Sequence, residues 1–390
     1  MRCPLRILVM SLVLSLIGFI PSAPAAPAPT VVKIAFLGPL TGPNAPQGLG
    51  ARNAFDLALR QANNSGRFPF RIEGMVLDDA SDPATGRAAA LRAVSDPAVV
   101  AATGHWNSPV AFATIEVFHE HKTPIIIWGA IHPDITRRGY REVTRVAPTV
   151  EMETIAGVRW VVEGLKIRRW AVIHDTTTYG LSTRDAFVGA ARGFGADILS
   201  TDGITVGERD FTALLTKVRG LNPSGVFFGG VVTEGALMRA QMVRLRAPGV
   251  FFSISGIFDD KFIEAASPTA AEGTLSIKPG LPVEKLPGGR KFIEEYRAAG
   301  YREPYGAYGP NAYDATMIIL EALRQVGPDR LRLTDAIRGT THNGLMGVTT
   351  FDREGQSRLV LTTNYVVQDG KWVVWDESEY GKGRRKLPSP

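Results

Sequence analysis

One unit recurs along this chain: a short apolar run rich in β-branched residues, a loop containing Gly, Pro or Asp, then an amphipathic helix. The runs of a first block fall at 31–37, 70–77, 99–103 and 124–128, and those of a second at 170–174, 197–200, 226–228 and 250–254. Runs this apolar suit strands buried on both faces. Strands that alternate with helices imply a parallel sheet covered on both sides. Two such blocks in 390 residues, more than one core usually covers, predict an α/β protein of two doubly wound parallel-sheet lobes. The remainder is expected to complete those sheets, with helices at 288–299, 307–326 and 331–338 and strands at 348–351, 359–367 and 372–375. Asp369-Gly370 marks a tight turn, and 381–390 reads as a basic, disordered end.

Open parallel sheets hold ligands beyond the carboxyl ends of their strands. The candidate surfaces are therefore the loops at 38–41, 78–79, 104–108 and 129–134, with 174–179, 229–234 and 255–258 in the second block. Facing lobes that close on a hinge would bury a small molecule between them. The stretch V-V-A-A-T-G-H-W-N-S-P-V-A-F-A at 99–113 is the most pointed of these. Gly104 breaks a buried strand, Ser108 is expected as an N-cap, and Pro109 takes the first helical position. Such a helix start turns N–H groups and a positive dipole end toward an anion such as a carboxylate. Trp106 and Trp128, at strand ends, are placed to wall a ligand.

Several functions find little support. Lys and Arg are scattered through a chain of net charge +6, with no basic run interleaved with aromatics, so no nucleic-acid partner is expected. Asp78, Asp79 and Asp82 lack the glycine and distal glutamate of a calcium loop, and Asp82 reads as the cap of a helix from Pro83; no metal or cofactor is expected. Six scattered histidines, without H-E-x-x-H, G-x-S-x-G, phosphate-loop or G-x-G-x-x-G patterns, argue against an enzyme. His105 and His174 read as structural hydrogen-bonders.

Two arginines in 1–6, an apolar stretch at 7–20 and A-P-A at 23–25 form a secretory signal cut after Ala25. The expected location is periplasmic. The single cysteine, Cys3, precedes the apolar stretch, so the mature protein is expected to carry no disulfide, thiol chemistry or lipid anchor.

The loop sequences form an ordered set: G-P-L-T-G-P at 38–43, D-D-A-S-D-P at 78–83, G-H-W-N-S at 104–108 and T-R-R-G-Y at 136–140. I-H-D-T-T-T-Y-G at 173–180, G-E-R-D-F-T-A-L-L at 207–215, F-F-G-G at 227–230 and A-E-G-T-L at 271–275 continue it. Each is weak alone, but in this order they resemble the branched-chain amino acid (Leu/Ile/Val-type) solute-binding proteins of ABC importers, over 31–375. The resemblance implies the type I periplasmic binding protein fold, two lobes joined by three crossovers. These are 26–148 plus 279–358 and 149–278 plus 359–390, behind a signal peptide at 1–25. It also implies capture of a small amino acid or related amphipathic or aromatic carboxylate. Delivery would be to permease and ATPase subunits, by a monomer that catalyses nothing. An envelope sensor on the same fold, controlling a partner protein, is the alternative.

Carried over by position, the resemblance puts the ligand's carboxylate on Ser108 and the backbone around it, with Asn107 alongside. The second carboxylate contact falls on Ala130, with Ile131 where a hydroxyl residue is usual, and the covering aromatic falls on Tyr179. The family's ammonium-binding tyrosine and glutamate fall on Val231 and Gly256, leaving Glu234 as the nearest acid to substitute. A buried ammonium without a carboxylate costs on the order of several kcal/mol. The expectation is therefore an apolar or aromatic acid without an α-amine, packed on Trp106, Trp128, Tyr179 and Phe258.

Overall fold

The computed structural model describes residues 31–388; the expected signal peptide lies outside the described residues. Strands β1 (Val31–Gly38), β2 (Arg71–Asp78), β3 (Val99–Thr103), β4 (Ile125–Ile127) and β5 (Val143–Arg145) form an all-parallel sheet in the order β2-β1-β3-β4-β5. Strands β6 (Arg169–Asp175), β7 (Asp197–Ile204), β8 (Gly225–Gly229), β9 (Val250–Ser253) and β10 (Leu275–Pro279) repeat that winding as β7-β6-β8-β9-β10. Strands β11 (Thr341–Asn343) and β12 (Val348–Thr350) make a separate antiparallel ribbon. Strands β13 (Thr362–Gln368) and β14 (Lys371–Val374) extend the second sheet antiparallel beyond β10.

Every residue of β3, β8 and β10 is buried, as strands covered by helices on both faces must be. The chain passes between the two sheets after β5, after β10 and between β12 and β13. After the second passage the helix Gly309–Val326 returns to the first sheet, where Ala312, Ala315 and Ile319 share a core with Ala51 and Phe55 of the helix Ala45–Asn64.

Local signals read from the sequence hold where their partners are local. Asp82 Oδ1 accepts the Thr85 N–H at 2.7 Å and caps the helix Pro83–Ser95. Asp369 and Gly370 both take positive φ, 52° and 73°, the tight turn that joins β13 to β14. Other expectations shift. The helix that opens the second block is α-helical only over Val150–Val158 and turns π-helical over Arg159–Gly164. The strand from Asp197 runs on to Ile204. The tail, expected to be disordered, is tied down over 381–388: Arg385 Nη1 donates to Glu272 at 2.7 Å and to Asp369 at 2.9 Å. Arg385 finds acids 16 and 113 residues away in sequence, which composition does not reveal.

Candidate functional site

The turn after β3 is built differently from its sequence reading. The N-cap of the helix Ser108–Glu120 is Asn107, not Ser108. Asn107 makes no side-chain cap, and its Oδ1 is buried without a hydrogen-bond partner. The positive end of the helix is thus left without a capping side chain. Ser108 lies inside the first turn, buried, where its Oγ accepts the His132 N–H at 3.3 Å. That bond ties the loop after β3 to the loop after β4.

The second loop is also held from below. Gly129 and Ala130 both donate their N–H to the His105 carbonyl, at 3.1 and 2.9 Å. The His105 ring is held in turn by Asp79, Nδ1 to Oδ2 2.7 Å, with both side chains fully buried. Arg145 Nη1 donates to the carbonyls of Ala130 at 3.2 Å and His132 at 2.6 Å. The Ala130 amide is therefore occupied within the protein and does not offer the expected second carboxylate contact. Ile131 turns away as well, into the core of the second sheet with Val150 and Val158. A buried carbonyl such as that of His105 must find donors, and these amides are the nearest.

Above this turn stand three rings. Trp106 meets Tyr308 edge-on, with centroids 6.4 Å apart, and Trp128 lies 6.1 Å from Tyr308. Trp128 is fully buried and stacks on Phe36 at 5.9 Å, so it supports the wall from within the core rather than facing a ligand. Tyr308, just ahead of the helix Gly309–Val326, also faces Ser255 of the second half.

The facing side comes from three places. Glu153, in the helix Val150–Val158, is fully buried; its Oε1 accepts the Ser255 N–H at 2.7 Å and its Oε2 the Ser255 hydroxyl at 2.9 Å. No Lys, Arg or His among the described residues forms an ion pair with it. Burial pushes its carboxyl up to about 7, and the two bonds from Ser255 pull the other way. The Tyr179 hydroxyl is buried without a partner, and its ionisation is pushed well up by burial and then by the nearby Glu153. A Cβ on Gly256 would lie 2.4 Å from that hydroxyl and 2.5 Å from the Gly230 carbonyl, so this close approach requires glycine. Val231, the N-cap of the helix Val232–Leu245, packs on the hydrophobic core of the first sheet.

Trp106, Tyr308, Ser255, Glu153, Tyr179 and Gly256 thus form one continuous seam between the halves, with Ser108 and Asn107 at its first-sheet end. Like Trp128, Ala130, Ile131 and Val231, the expected site residues Glu234 and Phe258 do not join it. Glu234 sits on the first turn of its helix with Oε1 accepting the Gly207 N–H at 2.9 Å, where it closes the loop after β7. Phe258 packs instead on Tyr365 and Trp372, with centroids at 4.5 and 4.9 Å. Glu153, Ser255 and Tyr308 were missed. Glu153 follows the Thr149 cap in a first helical turn, where an acid reads simply as a complement to the dipole. Tyr308 stands before Gly309-Pro310, a helix-start signal like the one at Ser108-Pro109 that drew attention there.

Among the described residues, no three His, Cys, Asp or Glu side chains gather closely enough to hold a metal ion.

Two wound sheets whose strand ends meet along a buried seam of aromatic and polar side chains define a two-lobed binding protein of the α/β class. Residues 31–369 match the periplasmic binding protein family, and the chain belongs to that family. It is 28% identical over 340 residues to the leucine-, isoleucine-, valine-, threonine- and alanine-binding protein of Pseudomonas aeruginosa, covering 87% of this chain and 90% of that one. It is 29% identical over 346 residues to Leu/Ile/Val-binding protein homolog 1 of Brucella suis biovar 1, covering 88% and 90%. The crystal structure of the leucine-binding protein LivK from Thermotoga maritima MSB8 superposes with a TM-score of 0.79 at 25% identity, over 88% of this chain and 97% of that one. The type I periplasmic binding protein fold and the Leu/Ile/Val-type resemblance read from the loops are borne out, and solute binding is the role of this family.

Proposed function

We propose that this protein captures a small amino acid in the seam between its lobes and presents it to the permease and ATPase subunits of an ABC importer. Glu153 carries the proposal. A fully buried carboxylate bonded only by Ser255 lacks a counter-charge, and an α-ammonium group is the cation that fits. It stands beside Gly256, where the family's own glutamate is missing, and so does the work first considered for Glu234. This reverses the sequence-derived expectation of a ligand without an amine. At the other end, Ser108 and the uncapped helix start suit the ligand's carboxylate. The unpartnered Tyr179 hydroxyl and the rings of Trp106 and Tyr308 lie between. The amino acids in the relatives' names support the same class.

The rest of the reading follows from delivery by closure. The lobes are 26–148 with 279–358 and 149–278 with 359–390, hinged where the chain crosses between sheets. The protein acts as a monomer, is exported to the periplasm by a signal cut after Ala25, and turns over nothing that it binds.

Titration calorimetry with leucine and valine tests this. Tight binding is expected, with Glu153→Gln losing roughly thirtyfold or more, the usual cost of removing one partner from a buried charged pair. Ser108→Ala should also weaken it, and circular dichroism should show both variants folded. Leucine binding that survives Glu153→Gln, or 4-methylpentanoate bound as tightly as leucine, would overturn the role given to Glu153.

A further inference from the structure

Phe258 lines a second space at the boundary of the two halves. It is a cavity of about 920 Å³, walled by Leu49 and Tyr305 on one side and by Phe258, Lys278, Tyr365 and Trp372 on the other. Three of those rings form a continuous aromatic surface: Phe258 stacks on Trp372 with centroids 4.9 Å apart and tilts against Tyr365 at 4.5 Å. Lys278, the penultimate residue of β10, is 7% exposed, and its Nζ lies 5.6 Å from the centroid of the Phe258 ring.

No carboxylate among the described residues forms an ion pair with this ammonium; the charge that bears on it is that of Glu284, whose carboxyl also faces the Tyr305 hydroxyl. Burial lowers the Lys278 ammonium to about 8, and the Glu284 charge offsets only part of that cost. Two of the lining lysines are matched at the rim, where acids outnumber them. Lys261 pairs with Glu264 and Lys285 with Glu377, while Asp259 accepts from Gln47 Nε2 at 2.7 Å. Of the two lining cations without an ion pair among the described residues, Lys371 is exposed at the rim, and Lys278 alone is buried inside against aromatic rings. That combination favours a flat apolar body bearing one negative charge and disfavours polyanions.

We propose that this cavity is a second ligand site, separate from the amino-acid seam, which takes an aromatic monocarboxylate with its ring on Phe258 and Trp372 and its carboxylate on the Lys278 ammonium. The site goes beyond the capture of an amino acid and does not depend on it. Neither Lys278 nor Trp372 belongs to the seam, so a compound bound here leaves Ser108, Glu153 and Tyr179 untouched.

Benzoate is the probe, followed by calorimetry and by quenching of tryptophan fluorescence. Benzoate should bind at millimolar concentration or below, in the presence of saturating leucine as well as in its absence. Lys278→Met, which keeps most of the unbranched side chain and removes the charge, should weaken benzoate at least tenfold and leave leucine affinity unchanged. Trp372→Leu should weaken benzoate and remove much of the quenching. Lys278→Met is expected to fold, because it relieves a buried unpaired charge. The proposal is overturned if benzoate does not bind, if Lys278→Met binds it as well as the parent, or if leucine displaces it. Loss of leucine binding alone would sink the seam reading and leave this site standing.

Discussion

Glu153 shows how much one buried carboxyl can decide. Its folded-state ionisation lies near 7 against an ordinary 4.5, because burial disfavours the charge more than Ser255 stabilises it. The folded protein therefore holds a proton that the unfolded chain has released. Stability from this group is full below about 4.5, falls as pH rises, and is lost above about 7. The facing groups, Tyr179 and Tyr308, are both pushed upward and stay neutral over that window. Thermal melts of the ligand-free protein should show this loss between pH 5 and 8, and Glu153→Gln should remove it. An amino acid acts in the opposite sense, because its ammonium favours the ionised carboxylate. Its affinity should fall by up to about tenfold per pH unit below 7, with a proton released on binding near pH 6. Calorimetry in buffers of different ionisation enthalpy reads that proton. Side-chain partners explain what was legible at this scale. The bond made by Asp82 is to Thr85, three residues on, and a local pattern finds it. The bond made by Ser108 is to His132, in the next loop, and the local pattern mistakes it for a cap.

Loops and strands in the first half are set by Arg145 at the end of β5. Its Nε donates to Gln356 Oε1 at 2.6 Å, and its Nη1 spans the carbonyls of Ala130 and His132. Gln356 then donates to the Ala147 carbonyl at 2.9 Å, so the returning chain is fastened to the first passage between sheets. Burial lowers the guanidinium to about 9. Removing it would take this donor from the buried Ala130 carbonyl, the part-buried His132 carbonyl and the Gln356 oxygen. Arg145→Met is expected to cost about 3–5 kcal/mol in urea unfolding. Arg145→Lys should recover little, because an ammonium does not reproduce the planar fork. Both variants should also weaken amino-acid binding, since the same loop carries the His132 N–H that holds Ser108. The alternation of strands and helices was readable because both periods are local. The π-helical stretch at Arg159–Gly164 was not, since its apolar residues fit an α-helix equally well.

Across the whole molecule, the halves meet through both polar and apolar contacts. Gln47 Nε2 reaches Asp259 Oδ2 at 2.7 Å, Tyr308 faces Ser255, and Val231 rests on the opposite core. Apart from Ile131 and Val231, which cross to the opposite core, each half keeps its own hydrophobic clusters. Such a boundary suits a closure that a small ligand can drive. Small-angle scattering should show the radius of gyration falling when leucine is added. Glu153→Gln should give no change at the same leucine concentration. An unchanged radius for the parent protein in saturating leucine would show that binding and closure are not coupled.

By itself the sequence determined the class of sheet, the two wound blocks and the loops that meet at the seam. Strand and helix patterns depend on neighbours a few residues away, and ligand loops follow from where parallel strands end. Tertiary structure alone decided which side chains occupy those ends. Ser255 bonds Glu153 across 102 positions of sequence, and Gln47 bonds Asp259 across 212. Glu234 and Phe258, both expected at the site, were drawn elsewhere by the Gly207 amide and by the rings of β13 and β14. A side chain takes the partner that burial brings to it, and burial is a property of the folded chain rather than of any stretch within it.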